Sequence, residues 1–328
     1  MADAIPLLEL PHRQARALLR TGAPVFLSID PVEFHGPHLS LRNDHLVSTG
    51  LARRFHEGLV AAGPEGAAWP FLLASTLDAG VDPTQGPGSR AVAFRDLCTL
   101  IVTACEALAD LGARRVVLMT FHGAPLHSIA IHRGTEALIA RGVRAVAPLN
   151  LLLSDVATSS PEPFAPALAH VSEPERSEML RTLRHDFHAG FMETSFALAL
   201  APSSVDTIHR TLPDCPSITP DLRLMALARA ADRAGRSHVA AELRVAAYGV
   251  GWSKLRPFPG YTGKPRHATA EAGEVFVRYA VSRAVPLIRD VFVGRAPPPP
   301  PMPWMEALTF GGRMPGLDVP LEAVADLG

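Results

Sequence analysis

The chain has 328 residues, enough for one large domain or two modest ones, and its 31 basic and 32 acidic residues give a formal net charge of −1. This balance provides no broad positive field, so we expect no nucleic-acid partner and no anionic membrane surface. Three cysteines without a CxxC pair, no signal-like N-terminus and no run of about 18 apolar residues predict a reduced, cytoplasmic protein without a membrane span.

Short apolar runs rich in β-branched residues predict buried strands at 23–30, 69–76, 114–121 and 143–150. Between them, apolar residues spaced by three and four predict amphipathic helices at 44–63, 94–113 and 126–143. Strands that alternate with helices of this length indicate an α/β fold, with a mainly parallel sheet and helices on both faces. In such sheets the functional residues gather at the carboxyl ends of the strands.

The second half of the chain is less regular. Proline-containing loops weaken the pattern at 151–187, and a helix is predicted to begin near Glu193. From Ala296 the chain opens with APPPPPMP, which is typical of a polyproline II arm. We therefore predict one domain at 1–295 and a proline-rich arm at 296–328 that wraps a neighbouring surface or subunit.

A dense polar cluster follows the first predicted strand, in the run EFHGPHLSLRND at 33–44. If residues 33–35 are extended, Glu33 and His35 point the same way, because strand side chains alternate with period two. A divalent cation between them would offset the cost of burying the carboxylate and would use the imidazole as a ligand. The alternative is that these groups only decorate a loop, but two histidines and two acids at this density favour a metal site.

Two further segments bring ligand types to the same edge of the sheet. The run FHG places His122 directly after the third predicted strand. The run HAGFMETS at 188–195 places His188 and Glu193 at a predicted helix start. We expect these side chains to approach the first cluster.

These segments carry a family resemblance. The run at 33–44 resembles the first signature of the creatininase (creatinine amidohydrolase) family, EQHGPHLPLGTD, and HAGFMETS resembles the family's HAGxxETS. The run GYTGKPRHATAEAGE at 260–274 is similar to a third family segment, GxxGDPxxATAEKG. The resemblance spans residues 20–290 approximately, and it implies a creatininase-type fold with two divalent metal ions per chain.

The resemblance also implies two sets of ligands that share one bridging carboxylate. One ion would be held by Glu33, Asp44 and His122, and the second by His35, Asp44 and Glu193. Creatininase takes a ligand of its second ion from the Glu of an NGHxEN motif, whose position is Ala124 here, so Glu193 receives that role. Zn, Mn and Fe all accept such nitrogen and oxygen ligands.

Two ions held roughly 3.5 to 4 Å apart can share a hydroxide, polarise a carbonyl and stabilise the oxyanion that follows. This favours a hydrolase that cleaves a C–N bond in an amide or cyclic amide other than an ordinary peptide bond. His188 would deliver a proton to the leaving nitrogen, although it could instead support a ligand or cap a helix. The predicted catalytic residues are therefore His188 and Glu193.

The loop TFHGAP at 120–125 departs from the family's NGHGGN by losing both asparagines. Two aromatic residues, Phe34 and Phe121, replace a Gln and a Gly of the family, so the mouth of the site should be more apolar. Creatinine is thus less expected than another small or modified amide. We predict substrate contacts from Phe34, His38, Phe121 and Gly123, with His38 orienting a ligand rather than binding metal.

Other functions stay open at this point. One is a peptidase that trims a modified precursor peptide, and another is a catalytically silent binding or scaffold protein, which the altered loop motivates. A metal-dependent phosphoesterase is disfavoured because no basic phosphate clamp is present. The resemblance further implies a homo-oligomer, for which a hexamer is one possible form.

Overall fold

The described residues form one sheet of five parallel strands. The computed structural model describes residues 3–63, 68–158, 160–301 and 321–325. In chain order the strands are β1 (Ile5–Pro6), β2 (Val25–Ser28), β3 (Leu72–Leu73), β4 (Arg115–Met119) and β5 (Arg144–Val146). Their order in the sheet is β1-β3-β2-β4-β5, and each neighbouring pair is parallel. The predicted parallel sheet is confirmed.

Ten α-helices lie within the described ranges. They are α1 (His12–Leu19), α2 (Asn43–Ala61), α3 (Phe94–Leu111), α4 (Pro125–Ala140), α5 (Leu149–Thr158), α6 (Glu175–Thr182), α7 (Phe191–Leu200), α8 (Leu222–Arg233), α9 (Ser237–Ser253) and α10 (Ala270–Phe292). The predicted helices at 44–63, 94–113 and 126–143 correspond to α2, α3 and α4. Among the described residues, no helix is both long and apolar enough to cross a membrane.

Two hydrophobic cores lie on opposite faces of the sheet, because successive strand side chains point in opposite directions. Phe26 of β2 and Val117 of β4 enter the core that contains α2, α7 and α10. Their neighbours Leu27 and Leu118 enter the core that contains α1, α3 and α4. Helices therefore cover both faces, as predicted.

Helix α3 illustrates how the sequence sets this packing. Its buried residues include Leu97, Ile101, Cys105 and Leu108, whose spacing of four, four and three places them on one helical face. Burial of each such side chain contributes about 1.5–3 kcal/mol. The helix ends at Gly112, whose φ of 110° is left-handed and whose N–H donates to the Ala109 carbonyl. An aspartate at 101 would abolish this packing.

The direction in which successive strands are added to the sheet changes between β2 and β4, and the candidate site lies at this point. Helix α2 leads from β2 to β3 on one side of the sheet, whereas α4 leads from β4 to β5 on the other. The two helices also lie in different cores, since Leu51 of α2 packs in the first and Ile129 of α4 in the second. The loops after β2 and β4 therefore diverge, which leaves a crevice at their carboxyl ends.

Some elements differ from the prediction. Strand β5 covers only 144–146, because α5 begins at Leu149 inside the predicted strand at 143–150. Pro148 accepts the first backbone hydrogen bonds of this helix, which suits a proline at a helix start. Strand β1 and helices α1, α6, α8 and α9 have no counterpart among the predicted elements.

Part of the C-terminal arm contacts the rest of the chain. Asn150 donates a hydrogen bond to the Pro299 carbonyl at 3.3 Å. Residues 321–325 add a parallel bridge at Phe258, which donates to the Ala323 carbonyl at 2.6 Å and accepts from the Ala325 N–H at 2.7 Å. The remainder of the predicted arm, at 302–320 and 326–328, lies outside the described residues. The domain boundary at 295 stays a prediction.

Candidate metal centre

The five predicted metal ligands meet at the carboxyl edge of the sheet, although they come from distant parts of the chain. They lie in the segment after β2, at the start of α2, in the loop after β4 and in the first turn of α7. All are buried, with exposed fractions of 1% for Glu33, His35 and Asp44 and 6% for His122 and Glu193. Three carboxylates at such depth are costly to ionise without positive charge beside them, and burial raises the pKa of Asp44 and takes that of Glu193 to about 8.

One group of potential ligand atoms joins Glu33, Asp44 and His122. His122 Nδ1 lies 2.7 Å from Glu33 Oε2 and 3.7 Å from Asp44 Oδ2. No described hydrogen-bond donor reaches either of these two oxygens with suitable geometry. Two unsatisfied carboxylate oxygens beside an imidazole nitrogen are a donor set that fits a divalent ion.

A second group joins His35, Asp44 and Glu193. His35 Nε2 lies 3.1 Å from Asp44 Oδ1 and 3.8 Å from Glu193 Oε2. Asp44 thus presents one oxygen to each group, which is the arrangement that a bridging carboxylate requires. We call these two groups the first and second ligand groups below.

Backbone carbonyls fix the tautomers of both histidines. His35 Nδ1 donates to the Glu33 carbonyl at 3.0 Å, and His122 Nε2 donates to the Val81 carbonyl at 3.0 Å. Because a carbonyl can only accept, these nitrogens carry the protons. The other nitrogen of each ring faces the carboxylates, so a proton or a metal ion must lie between them.

The electrostatics of the two rings agree with this requirement. Burial opposes the charge on His35, but the Asp44, Glu33 and Glu193 carboxylates raise its pKa to about 10. Burial likewise opposes the charge on His122, and chiefly Glu33 raises its pKa to about 9. In the metal-free protein these rings therefore hold protons that a divalent ion would displace.

His188 lies beside both ligand groups. Its Nε2 donates to the Phe34 carbonyl at 2.9 Å, and its Nδ1 lies 3.5 Å from Glu33 Oε1. The ring stacks on His35 with centroids 4.5 Å apart. Burial, followed by the charge of His35, lowers the pKa of His188 to about 3. Its Nδ1, 3.5 Å from Thr84 Oγ1, therefore carries a lone pair that faces the centre, close to the ligand atoms of Glu33 and His35.

Trp252 contacts His188, with ring centroids 5.1 Å apart. It is 6% exposed, and its indole N–H donates to the Tyr261 carbonyl at 2.9 Å. It also packs on Phe258, close to Val324 of the C-terminal segment. The ring thus both packs and forms a wall behind His188.

The turn before α7 positions Glu193. The Ala189 N–H donates to Glu193 Oε2 at 2.5 Å, and Ala189 has a left-handed φ of 45°. Asp186, a residue that the sequence reasoning did not select, accepts hydrogen bonds from the N–H groups of Phe191 and Met192 in the first turn of α7. A strained backbone held by such a cap is common at functional sites.

The four predicted substrate-contact residues differ in burial and in the side chains that they contact. The Phe34 ring is half-buried against Gly86 and Gly260, where an added Cβ would lie within 2.4 and 2.2 Å of it. His38 is buried, and its Nε2 lies 2.9 Å from Oγ1 of Thr194, the residue after Glu193. The role of both residues in substrate binding stays a prediction.

The other two residues lie in the loop after β4. Phe121 is half-buried and packs edge-on against Phe196, with centroids 5.1 Å apart. Gly123 is exposed, and an added Cβ would meet Leu153 at an ordinary 3.4 Å. These residues frame one side of the centre, and their contact with substrate also stays a prediction.

Sequence reasoning missed two residues that hold the ligands. The Thr84 N–H donates to Glu33 Oε1 at 2.8 Å, and no pattern in its proline- and glycine-containing loop signals this. Asp30 accepts a hydrogen bond from the Phe121 N–H at 3.0 Å. Its position at the end of the first predicted strand was a signal, because acids there face the functional edge.

Comparison with known proteins gives the family and the fold of the chain. The sequence model of a family described as creatininase, creatinine amidohydrolase, matches residues 9–288. Solved structures described as a manganese creatininase and a creatinine amidohydrolase are each 19% identical, with a TM-score of 0.58. A mutant creatininase of Zn–Zn type has the same identity and TM-score. No curated protein matches the chain.

Coverage in these structural comparisons is nearly complete. They cover 88% of this chain and 99% of the manganese protein, and 89% and 98% for the creatinine amidohydrolase. For the Zn–Zn type mutant the values are 89% and 99%. At 19% identity the structural similarity establishes the fold.

Proposed function

Because the chain belongs to the creatininase family, we propose that it is a divalent-metal-dependent hydrolase of a C–N bond in a small or modified amide. The observation that carries this proposal is the position of Asp44, whose two carboxylate oxygens face two separate ligand groups. A shared carboxylate is suited to holding two ions close together. Hydrolysis of amides is the chemistry to which such a pair is suited.

The first ion would be held by Glu33, Asp44 and His122, and the second by His35, Asp44 and Glu193. When bound, divalent ions such as Zn²⁺, Mn²⁺ or Fe²⁺ polarise a carbonyl and lower the pKa of water. The mixed nitrogen and oxygen donors, two of them unsatisfied carboxylate oxygens, support this assignment.

His188 is the proposed proton carrier. The Phe34 carbonyl holds the proton on Nε2, so Nδ1 is the atom that accepts and releases a proton. That atom lies 3.5 Å from Glu33 Oε1, at the edge of the ligand groups. Its low pKa makes the protonated ring a strong acid, so it would hold the proton of the attacking water only briefly and pass it to the leaving nitrogen. Stacking on His35 fixes the ring in this orientation.

The substrate class follows from the walls of the site. The half-buried Phe34 and Phe121 adjoin metal ligands in the sequence and would give the site aromatic walls. An amide with an apolar substituent or ring would fit these walls better than a compact, very polar molecule. We also propose that the chain acts in the cytoplasm as a homo-oligomer; size-exclusion chromatography with light scattering tests the assembly, and a clean monomer would contradict it.

The experiment that tests the function combines metal analysis with a substrate panel. The purified chain, treated with a chelator and reloaded with Mn²⁺, Zn²⁺ or Fe²⁺, is assayed for hydrolysis of creatinine, cyclic imides, N-formyl amides, short peptides and phosphate esters. We expect two ions per chain and hydrolysis confined to amides. Asp78→Asn is the matched control, because Asp78 is an exposed acid after β3 that pairs with Arg42 at 3.0 Å.

The outcomes separate the alternatives. Fewer than about one bound ion per chain, with no stabilisation by added metal, would refute the enzyme assignment and leave a scaffold. Hydrolysis of phosphate esters without amides would instead indicate a phosphoesterase. Cleavage of peptides without small amides would indicate a peptidase.

A further inference from the structure

Asp30 is a buried carboxylate just beyond β2 that belongs to neither ligand group. It is 1% exposed. Its Oδ2 accepts a hydrogen bond from Ser48 Oγ at 2.6 Å, and its Oδ1 accepts one from the Phe121 N–H at 3.0 Å. Each carboxylate oxygen therefore has its own donor.

The two donors belong to the two segments that carry metal ligands. Ser48 lies one turn after Asp44 on α2, and Phe121 directly precedes His122 in the loop after β4. The hydrogen bonds of Asp30 thus tie α2 to that loop across the crevice. Across the same crevice, Asp44 Oδ2 lies 3.7 Å from His122 Nδ1.

We propose that Asp30 is a positioning residue for the metal centre, which sets the separation of Asp44 and His122 so that one cation can bind both. This inference rests on the proposed function. The loop after β4 carries Thr120 and Pro125 in place of the asparagines of the family motif. Thr120 Oγ1 accepts the His122 N–H within this loop at 3.2 Å, and Asp30 adds a tie from outside it through the Phe121 N–H.

A purely structural role explains the carboxylate poorly. Among the described residues, no cationic side chain pairs with Asp30, and its hydrogen-bond donors are all neutral, namely the Ser48 and Thr120 hydroxyls and the Phe121 amide. A buried carboxylate in such surroundings is costly, and an apolar residue would serve packing alone. What the carboxylate adds is two acceptors that point in different directions, as a tie between two segments requires.

The test compares Asp30→Ala, Asp30→Asn and Ser48→Ala in the full chain. Alanine at 30 removes both acceptors, whereas asparagine keeps an acceptor and gains a donor that Ser48 can accept. The matched control is Asp155→Asn, because Asp155 is also a buried acid but bonds to Arg283 on α10 at 2.6 and 3.1 Å. Co²⁺ and Mn²⁺ affinity is measured by chelator competition, together with the visible spectrum of the Co²⁺ protein and the melting temperature.

We expect Asp30→Ala to weaken binding of the first ion by about 10- to 100-fold, as loss of a ligand-supporting partner does, and to change the Co²⁺ spectrum. Ser48→Ala should produce a smaller loss in the same direction, and Asp30→Asn should restore most of the affinity. Asp155→Asn should lower the melting temperature and leave affinity and spectrum unchanged.

The proposal is overturned if Asp30→Ala and Ser48→Ala both bind Co²⁺ with wild-type affinity and spectrum. It is also overturned if Asp30→Asn is as weak as Asp30→Ala, because charge rather than the tie would then be responsible. If Asp30→Ala does not fold, Ser48→Ala decides alone. A wild-type chain that binds no divalent ion refutes the proposed function itself, a result distinct from equal binding by all variants.

Discussion

Replacement of Asp44 by asparagine should remove the stabilisation that divalent metal provides, while the metal-free protein stays at least as stable as wild type. Asp44 is the only residue common to both ligand groups among the described residues. Burial raises the pKa of its carboxyl despite the neighbouring His35, so the ionised form is costly to bury in the metal-free fold. A neutral side chain of the same shape is then tolerated without metal.

The magnitude follows from linkage between binding and folding. With free metal at about 1000 times its Kd, binding stabilises the wild-type chain by about 4.1 kcal/mol. Loss of a partner that only supports a ligand weakens affinity by about 10- to 100-fold, and loss of a ligand shared by two ions should reach about 1000-fold. The remaining stabilisation is then about 0.4 kcal/mol. For 328 residues the unfolding entropy is about 0.7 kcal/mol/K, so the metal-induced rise in Tm should shrink by about 5 °C.

Differential scanning calorimetry of chelator-treated protein, with and without added Mn²⁺ or Zn²⁺, measures this difference. Asp78→Asn is again the control, since it removes an exposed acid and should keep the full metal-induced rise. If Asp44→Asn shows the same rise as wild type, the assignment of Asp44 as a shared ligand is wrong. The same conclusion holds if the variant still binds two ions per chain with unchanged affinity.

Three further predictions concern proton balance, catalysis and the C-terminal segment. In the folded, metal-free chain the pKa of His35 is raised from 6.5 to about 10 and that of His122 to about 9. The stability that these two rings contribute is therefore full below pH 6.5 and is lost as the pH rises through 9 to 10. Urea titrations across this range measure the free energy of unfolding, and a value that does not change with pH would contradict the prediction. His188→Asn should lower kcat by about 10²- to 10⁴-fold with metal content unchanged, as assayed by steady-state kinetics and metal analysis, and unchanged kcat would exclude the proton-carrier role. Removal of residues 321–328 should lower the free energy of unfolding by about 1–3 kcal/mol, because it deletes two hydrogen bonds to Phe258. Because Phe258 packs on Trp252, the wall behind His188, the truncation should also raise KM more than it lowers kcat. Unfolding curves and KM values equal to those of the wild type would contradict this.

The parts of the fold that the sequence predicts are those with a strong period. Apolar spacing locates α2, α3 and α4, and compact apolar runs locate β2 and β4, since burial on a helix face or a central strand constrains residue type. The position of the candidate site also follows from sequence, because Glu33 and His122 both lie in the segments that follow central strands. The confirmed family assignment rests on the signatures at 33–44 and 188–195.

Other features of the structure have no comparable sequence pattern. Strand β1 has only two residues, too few for a period, and α5 begins inside an apolar run that reads equally well as strand or helix. Thr84 acts through its backbone N–H, which any residue except proline supplies. Asp186 acts as a helix cap whose partners are also backbone groups, so side-chain chemistry alone does not distinguish it from an ordinary loop acid.

The position of Glu193 shows how the departures of this chain from the family motif fit together. Ala124, at the N-cap of α4, has no side chain that could reach a metal, so the loop after β4 offers only His122 to the centre. The second ligand group is completed instead from α7, whose first turn Asp186 caps and whose Glu193 the Ala189 N–H orients. An ion held there would link α7 to Asp44 on α2, and both helices already pack in the same core. The metal centre would thereby stabilise one face of the sheet more than the other. The loop after β4 would then depend on hydrogen bonds for its position, and the bond from the Phe121 N–H to Asp30 is placed to provide one.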